Sequence, residues 1–135
     1  MGRRYMKKVT VNGTVASHEL YLYRGYLQLA ALDMLDNWNV LRTLLWDPLE
    51  PVATRPLALV QAASFYCYGT DFNKNVTEVF DGQGTIAATY DYSPYGIVGS
   101  TGSLVQSVQW SSEMNDGKLA LVYYNYCCYN PADGR

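Results

Sequence analysis

This 135-residue chain is poor in the side chains that carry most enzyme chemistry, with one histidine, three cysteines and 12 carboxylates. A Ser-His-Asp or Cys-His relay could draw only on His18, and in an extended strand its neighbour Glu19 points to the opposite face. A zinc site would need His18 with all three cysteines, and no CxxC or HxxxH spacing exists. The reading is therefore of a non-enzyme with no metal and no cofactor. Cys67, Cys127 and Cys128 give no disulfide framework, since adjacent cysteines close a strained ring and at most one of them could bridge to Cys67. Charged residues make up only 16% of the chain, and a net charge of -2 with pI about 5.2 argues against nucleic acid as a partner. The one basic cluster, Arg3, Arg4, Lys7 and Lys8, reads as a solvated strand face. No apolar run approaches the roughly 20 residues of a membrane-spanning helix, and the basic, polar residues 1–8 lack the apolar centre of a signal peptide.

What the chain has instead is hydrophobic residues (49%) and 13 tyrosines. That is enough for one domain with a core, and tyrosine suits half-buried sheet faces because its apolar ring ends in a polar tip. The stretch 81–96 shows the pattern most clearly. Asp81-Gly82 supplies turn residues, 85–92 is rich in β-branched and aromatic side chains, and Ser93-Pro94 with Gly96 ends the strand. Aromatic-or-Leu, any residue, aromatic recurs at Tyr21-Leu22-Tyr23, Leu44-Leu45-Trp46, Tyr66-Cys67-Tyr68 and Tyr90-Asp91-Tyr92, in steps of 23, 22 and 24 residues. Asn12-Gly13, Asp36-Asn37 and Asp81-Gly82 precede three of the copies, whereas Arg55-Pro56 is a weaker turn before the other. Tyr124-Asn125-Tyr126 repeats the motif outside the period.

The period predicts an all-β chain of hairpins. Strands are expected at 6–11 and 15–23 around Asn12-Gly13, at 27–35 and 40–46 around residues 36–39, and at 57–68, 76–80 and 85–92. Residues 47–51 form a break with two prolines, 96–102 a Gly/Ser/Thr loop, and 119–129 one long aromatic strand or two short ones. Leu27, Ala30, Ala31, Met34, Leu35, Trp38, Leu41 and Leu45 also fall at helical spacing, but no cap opens the run and the repeat favours a hairpin. Hairpins of this kind are marginal alone and gain stability by stacking, which leaves open sheet edges and an expected tendency to self-associate.

Laid out this way, the sequence resembles the Rhs, or YD-repeat, family. Gly2-Arg3-Arg4 is similar to the Gly-Arg that follows each Tyr-Asp pair, and Trp46-Asp47-Pro48 and residues 90–96 look like its Tyr-Asp-Pro-x-Gly element. Residues 71–81 resemble the segment before the last repeat of the Rhs-associated core. The end of that core is resembled by Gln109-Trp110-Ser111-Ser112-Glu113, by residues 121–126, by Tyr129-Asn130-Pro131 and by Gly134-Arg135. The resemblance implies one partial core region: repeat hairpins at 1–96, a Gly/Ser loop at 97–107 and a terminal motif at 108–135. Its motif residues are Tyr21, Tyr23, Trp46, Asp47, Pro48, Tyr66, Tyr68, Tyr90, Asp91, Pro94, Gly96, Tyr124, Tyr126, Pro131 and Gly134.

The resemblance further implies a segment of a spiralling β-cocoon that encloses a C-terminal toxic domain, in secreted or surface-associated bacterial proteins used in competition. The partners would be the rest of the shell and the toxin. The chain stops before the family's aspartate-based self-cleavage site, so no catalytic residue carries over. Two departures stand out. Cys127-Cys128 occupy places where the family has Arg and an aromatic, and residues 116–121 lack the Gly usual before Leu121.

Two other readings stay open at this stage. The tyrosine excess could serve a surface module that binds a cell-surface glycan through Tyr90 and Trp110, or the chain could be a nonfunctional remnant of a larger gene. Asp71, Asn73 and Asn75 mimic the start of an EF-hand loop, but Val76 and Gly82 stand where that loop needs Gly and Glu, so turn chemistry is the better account. Asn12-Gly13-Thr14 and Asn75-Val76-Thr77 are formal glycosylation sequons that overlap turns.

Overall fold

The computed structural model describes residues 3–49, 55–124 and 127–135. Nine strands form one antiparallel sheet in simple chain order. They are β1 Met6–Val11, β2 Thr14–Arg24, β3 Leu27–Asp33, β4 Asn39–Trp46, β5 Pro56–Gln61, β6 Ser64–Thr70, β7 Val76–Asp81, β8 Ile86–Tyr92 and β9 Val98–Gly102. The chain then returns across one face of the sheet through a single 3-10 turn, Trp110–Ser112. It ends in a three-stranded sheet of β10 Met114–Asp116, β11 Leu121–Tyr123 and β12 Cys128–Tyr129. The architecture is the all-β hairpin meander that the repeat predicts, and the helically spaced residues 27–45 form the β3–β4 hairpin.

Turn chemistry explains most of the joints. Asn12 (φ 49°) and Gly13 (φ 80°) make the two-residue turn with both residues left-handed that suits the twist of a hairpin. Three later loops share one design, in which the residue before the loop pairs with the one four positions on and closes a three-residue connection. Asp71 N–H donates to Asn75 O, Asp81 N–H to Thr85 O and Ser93 N–H to Ile97 O, at 3.0, 2.8 and 2.9 Å. The third loop residue, Lys74, Gly84 or Gly96, takes a positive φ in each. The opening side chain adds a bond of its own: Asp71 Oδ1 accepts from Asn75 N–H, Asp81 Oδ1 from Gln83 and Thr85 N–H, and Ser93 Oγ from Ile97 N–H. Asp33, Asp47 and Asp116 likewise accept the backbone N–H two residues on. Asp71 thus serves its turn, as expected over a calcium loop.

Several expectations need correction. Residues 57–68 are not one strand but the β5–β6 hairpin, turned at Ala62 (φ 50°) and Ala63 (φ 59°). Two alanines carry no turn signal, because their Cβ atoms disfavour that backbone region. The stretch 96–102, and with it much of the loop assigned to 97–107, contains β9, which pairs with β8 from Tyr92↔Val98 to Ala88↔Gly102. Its Gly, Ser and Thr residues read as loop because a solvated edge strand needs no apolar alternation. The tail 119–129 holds two short strands rather than one long one. The aspartate of the Tyr-Asp pair, expected to serve the turn, instead lies inside β8 as Asp91 opposite Gly99, and Ser93 fills the turn role. Gly2, residues 50–54 (and with them Pro51 of the break expected at 47–51), Asn125 and Tyr126 lie outside the described residues.

Candidate functional site

The aromatic repeat resolves into a single face. In all four copies the first and third residues (Tyr21 and Tyr23, Leu44 and Trp46, Tyr66 and Tyr68, Tyr90 and Tyr92) are buried or half-buried, while Leu22, Leu45, Cys67 and Asp91 between them are exposed. Strand alternation requires this, and four copies in one meander place their rings on the same side of the sheet. Leu44, Leu59, Val76, Val79, Ala88, Tyr90 and Val108 form the core there, with Trp46, Tyr66, Tyr68, Tyr92, Leu104 and Met114 packed around it.

The returning segment closes this face and satisfies the ring tips. Gln106 is buried and binds its own chain as a β partner would, donating Nε2–H to Val108 O (2.8 Å) and accepting Val108 N–H at Oε1 (2.7 Å). The Tyr68 hydroxyl donates to the same Oε1 at 3.1 Å, and Tyr90 also meets the Gln106 side chain. Tyr92 donates to Val76 O, Tyr23 to Arg4 O and the Trp46 indole to Gln28 O. Burial pushes the hydroxyls of Tyr21, Tyr68, Tyr90 and Tyr92 above the usual tyrosine range, so they act as neutral hydrogen-bonding groups. Further along, Val76 N–H donates to Gln109 O, Ser111 N–H to the buried Asn75 side chain, and Ser112 Oγ to Lys74 O. Asn75 is thus occupied inside the fold. Trp110 lies on the β8–β9 turn, 5.5 Å from the Tyr92 ring and against Gly96. Tyr90 is 5% exposed, so it offers no face to a sugar, and with Trp110 packed on Gly96 the two do not form an open stacking platform.

At the far end of the segment Asp116, with its side chain fully buried, accepts Arg4 Nη1 at 2.7 Å and Lys7 Nζ at 2.6 Å. Burial alone would raise its pKa, but hydrogen bonds from Lys7 and Arg4 outweigh it and hold the carboxyl at about 2. Arg4 also lies 4.0 Å from the Tyr123 ring centroid, and Arg3 stacks near Tyr26 at 5.0 Å. The basic cluster is therefore a clamp on the returning segment at Arg4 and Lys7, and only Lys8 of these two strand lysines is on the solvated face. In a flat sheet β1 and β8 would be seven steps, roughly 34 Å, apart. Ser103 N–H donates to Ala87 O in β8, and Asn115 N–H donates to Ser107 O, so the segment doubles back on itself. From Ser103 to Asp116 it therefore reaches only about 22 Å. With the Asp116 side chain and the long side chains of Arg4 and Lys7 added, the segment spans the sheet from β8 to β1.

Between the sheet and the segment lies a half-open cleft of about 720 Å³. Its lining includes the ion pair of Arg42 Nη2 with Glu19 Oε2 at 2.7 Å, and also Gln28, Gln61 and Gln106. Desolvation opposes the charge on Glu19, yet the bond from Arg42 lowers its pKa overall.

Set beside solved structures, this fold matches chains of Tc toxin complexes. The crystal structure of TcdB2-TccC3 matches with TM-score 0.53 and 15% identity over 97% of this chain and 9% of that one. The Photorhabdus luminescens Tc holotoxin pore, carrying a TccC3 variant, matches with TM-score 0.66 and 17% identity over 96% of this chain and 7% of that one. The chain thus spans less than a tenth of the chains it resembles. No family profile matches it, and no curated protein sequence does. At this identity the likeness is one of fold.

The remaining motif residues have structural places. Asp47 accepts Leu49 N–H beside Pro48, and Gly96 holds φ 85° after Pro94. Tyr124 stands edge-on to Tyr129, 6.3 Å between centroids, and Tyr129 donates to Tyr95 O. Pro131 and Gly134 lie in the terminal turn that Asn130 and Arg135 close by mutual backbone bonds. His18 is half-buried with its Nε2 2.9 Å from Met6 Sδ, and Cys67, Cys127 and Cys128 are free and exposed. Among the described residues no His, Cys, Asp and Glu group could hold a metal, and no helix is long and apolar enough to cross a membrane. Sequence reasoning missed Gln106, Asp116 and Gln28, because a lone polar residue outside a repeat shows nothing of its burial.

Proposed function

We propose that the chain is a wall segment of an Rhs-type shell, of the kind that encloses a C-terminal toxic domain in secreted or cell-surface bacterial toxins. The observation that carries this reading is the fold likeness to Tc toxin chains across 96–97% of the chain. The single-faced aromatic repeat supports it, since a wall built of hairpins needs one continuous face to pack and one to leave outside. The role is structural and asks for no catalytic group, metal or cofactor. Partners in this reading are the neighbouring strands of the wall, which β1 and β9 would meet at their outer edges, and the enclosed domain.

The test is to read the DNA on both sides of the gene. The reading expects further Tyr-Asp repeats upstream, and downstream an Asp-Pro cleavage motif followed by a variable domain. Flanking sequence with neither would overturn it. A second expectation concerns the sheet edges. Light scattering over rising concentration should show the 135-residue chain self-associating, because β1 and β9 each pair with one strand only. A monomer at every concentration would remove the edges from the account.

A further inference from the structure

The face of the sheet that the returning segment leaves bare is also apolar. Side chains turned away from the core line up across the strands in register. One row runs Leu22, Ala30, Thr43, Val60 and Phe65 from β2 to β6. The next runs Leu45, Ala58, Cys67, Phe80 and Ile86 from β4 to β8. No position in either row carries a charge. Leu22, Leu45, Val60, Phe65 and Ile86 are each 37–54% exposed. An antiparallel sheet with one solvated face ordinarily puts polar residues there, so this face has the composition of a contact surface. The two rows offer roughly 500 Å² of apolar surface, at the upper end of what a monomer leaves in one patch, and such patches are often functional. The charges stand beyond its ends. Lys8 on β1, opposite His18, lies past the β2 end, and Asp91 on β8 lies past the other; both are exposed on the outward side.

We propose that this face binds a second copy of the chain, sheet against sheet about a two-fold axis. An axis lying between the sheets, across the middle of the patch, lays the apolar rows on one another and exchanges their ends. Each Lys8 then meets the partner's Asp91, whereas an axis along the patch would set like charges together. A patch with a cation at one end and an anion at the other is complementary to itself, and that names the occupant. An apolar centre within a polar rim is the anatomy of a protein interface. With the polar positions around the rows, the contact reaches the roughly 800 Å² per partner of a standard interface. Sheets pack in this way, about 10 Å apart, in β-sandwiches. The pair closes at two copies, unlike association through the edges of β1 and β9, and the inference does not depend on the shell reading.

Analytical ultracentrifugation of the 135-residue chain, from micromolar to millimolar concentration, tests it. A reversible monomer–dimer equilibrium is expected. Phe65→Lys should weaken the dimer at least about tenfold, because each copy would press a cation onto an apolar face. Its near-UV circular dichroism should match the parent's, since Phe65 lies outside the core. Lys8→Glu and Asp91→Lys should each weaken the dimer by bringing like charges together. An equimolar mixture of these two single variants should form a heterodimer tighter than either homodimer, because every new charge then meets its opposite. A parent chain that stays monomeric, or that forms only species growing beyond two copies, would overturn the proposal and leave the face to another partner. So would a folded Phe65→Lys chain that dimerises as the parent does, or a mixture of the charge variants that associates no better than either alone.

Discussion

At Gly96 a hydrogen is the largest side chain that fits. A Cβ there would lie 2.8 Å from the Trp110 ring, and the backbone stands at φ 85°, where side chains are disfavoured. Gly96→Ala should cost roughly 2 kcal/mol or more, as both terms act at once. Urea denaturation checks it; a loss under half that size would mean that the turn and Trp110 move apart freely. Gln106→Leu should cost about 3 kcal/mol, since it strands the Val108 N–H and C=O and the Tyr68 hydroxyl in the core. A thermal melt within a degree or two of the parent would show that these groups find other partners. The two residues differ in how readable they are. Gly96 is marked by its Ser-Pro-x-Gly setting, whereas nothing around Gln106 in the sequence says that it sits beneath two tyrosines.

Among elements, the β5–β6 hairpin is the one whose turn works against its sequence. Ala62 and Ala63 both hold the left-handed backbone that Asn12-Gly13 adopts with ease. Ala62→Asn with Ala63→Gly should therefore stabilise the fold, by about 1 kcal/mol. A midpoint shift in urea with unchanged slope is the expected signature, and a decrease would place the turn's strain elsewhere. The same pair explains why the element boundary was hidden. Paired residues such as Leu59 and Tyr66 share a face, so the turn shifts the alternation by one position, and with two alanines at its centre nothing in the sequence marks the shift. The β1–β2, β3–β4 and β7–β8 hairpins were legible because Asn, Asp and Gly stand at their turns. Edge strand β9 was not, since its residues obey no apolar pattern. The period of the four aromatic motifs was legible, and in the fold their first and third residues lie on one packed face.

For the whole molecule, two carboxylates of opposite habit set how stability follows pH. Asp116 has its folded pKa lowered from 3.8 to about 2, so its contribution is present above pH 4 and fades as pH falls towards 2. Burial raises Glu113 from 4.5 to about 7, so its contribution is full below pH 4.5 and is lost as pH rises through 7. Urea midpoints between pH 2 and 8 should peak near pH 4–5. Asp116→Asn should flatten the acid limb and Glu113→Gln the neutral one. A curve that climbs steadily from pH 5 to 8 would contradict the assignment to Glu113.

The clamp on Asp116 also dictates an order of events. Strands of the meander meet partners that are next in the chain, and such local pairings form early. Arg4 and Lys7 reach Asp116 across 112 and 109 residues, so that closure waits for nearly the whole chain. The nine strands can therefore pair one after another while the tyrosines and Trp46 still await the segment that will cover them.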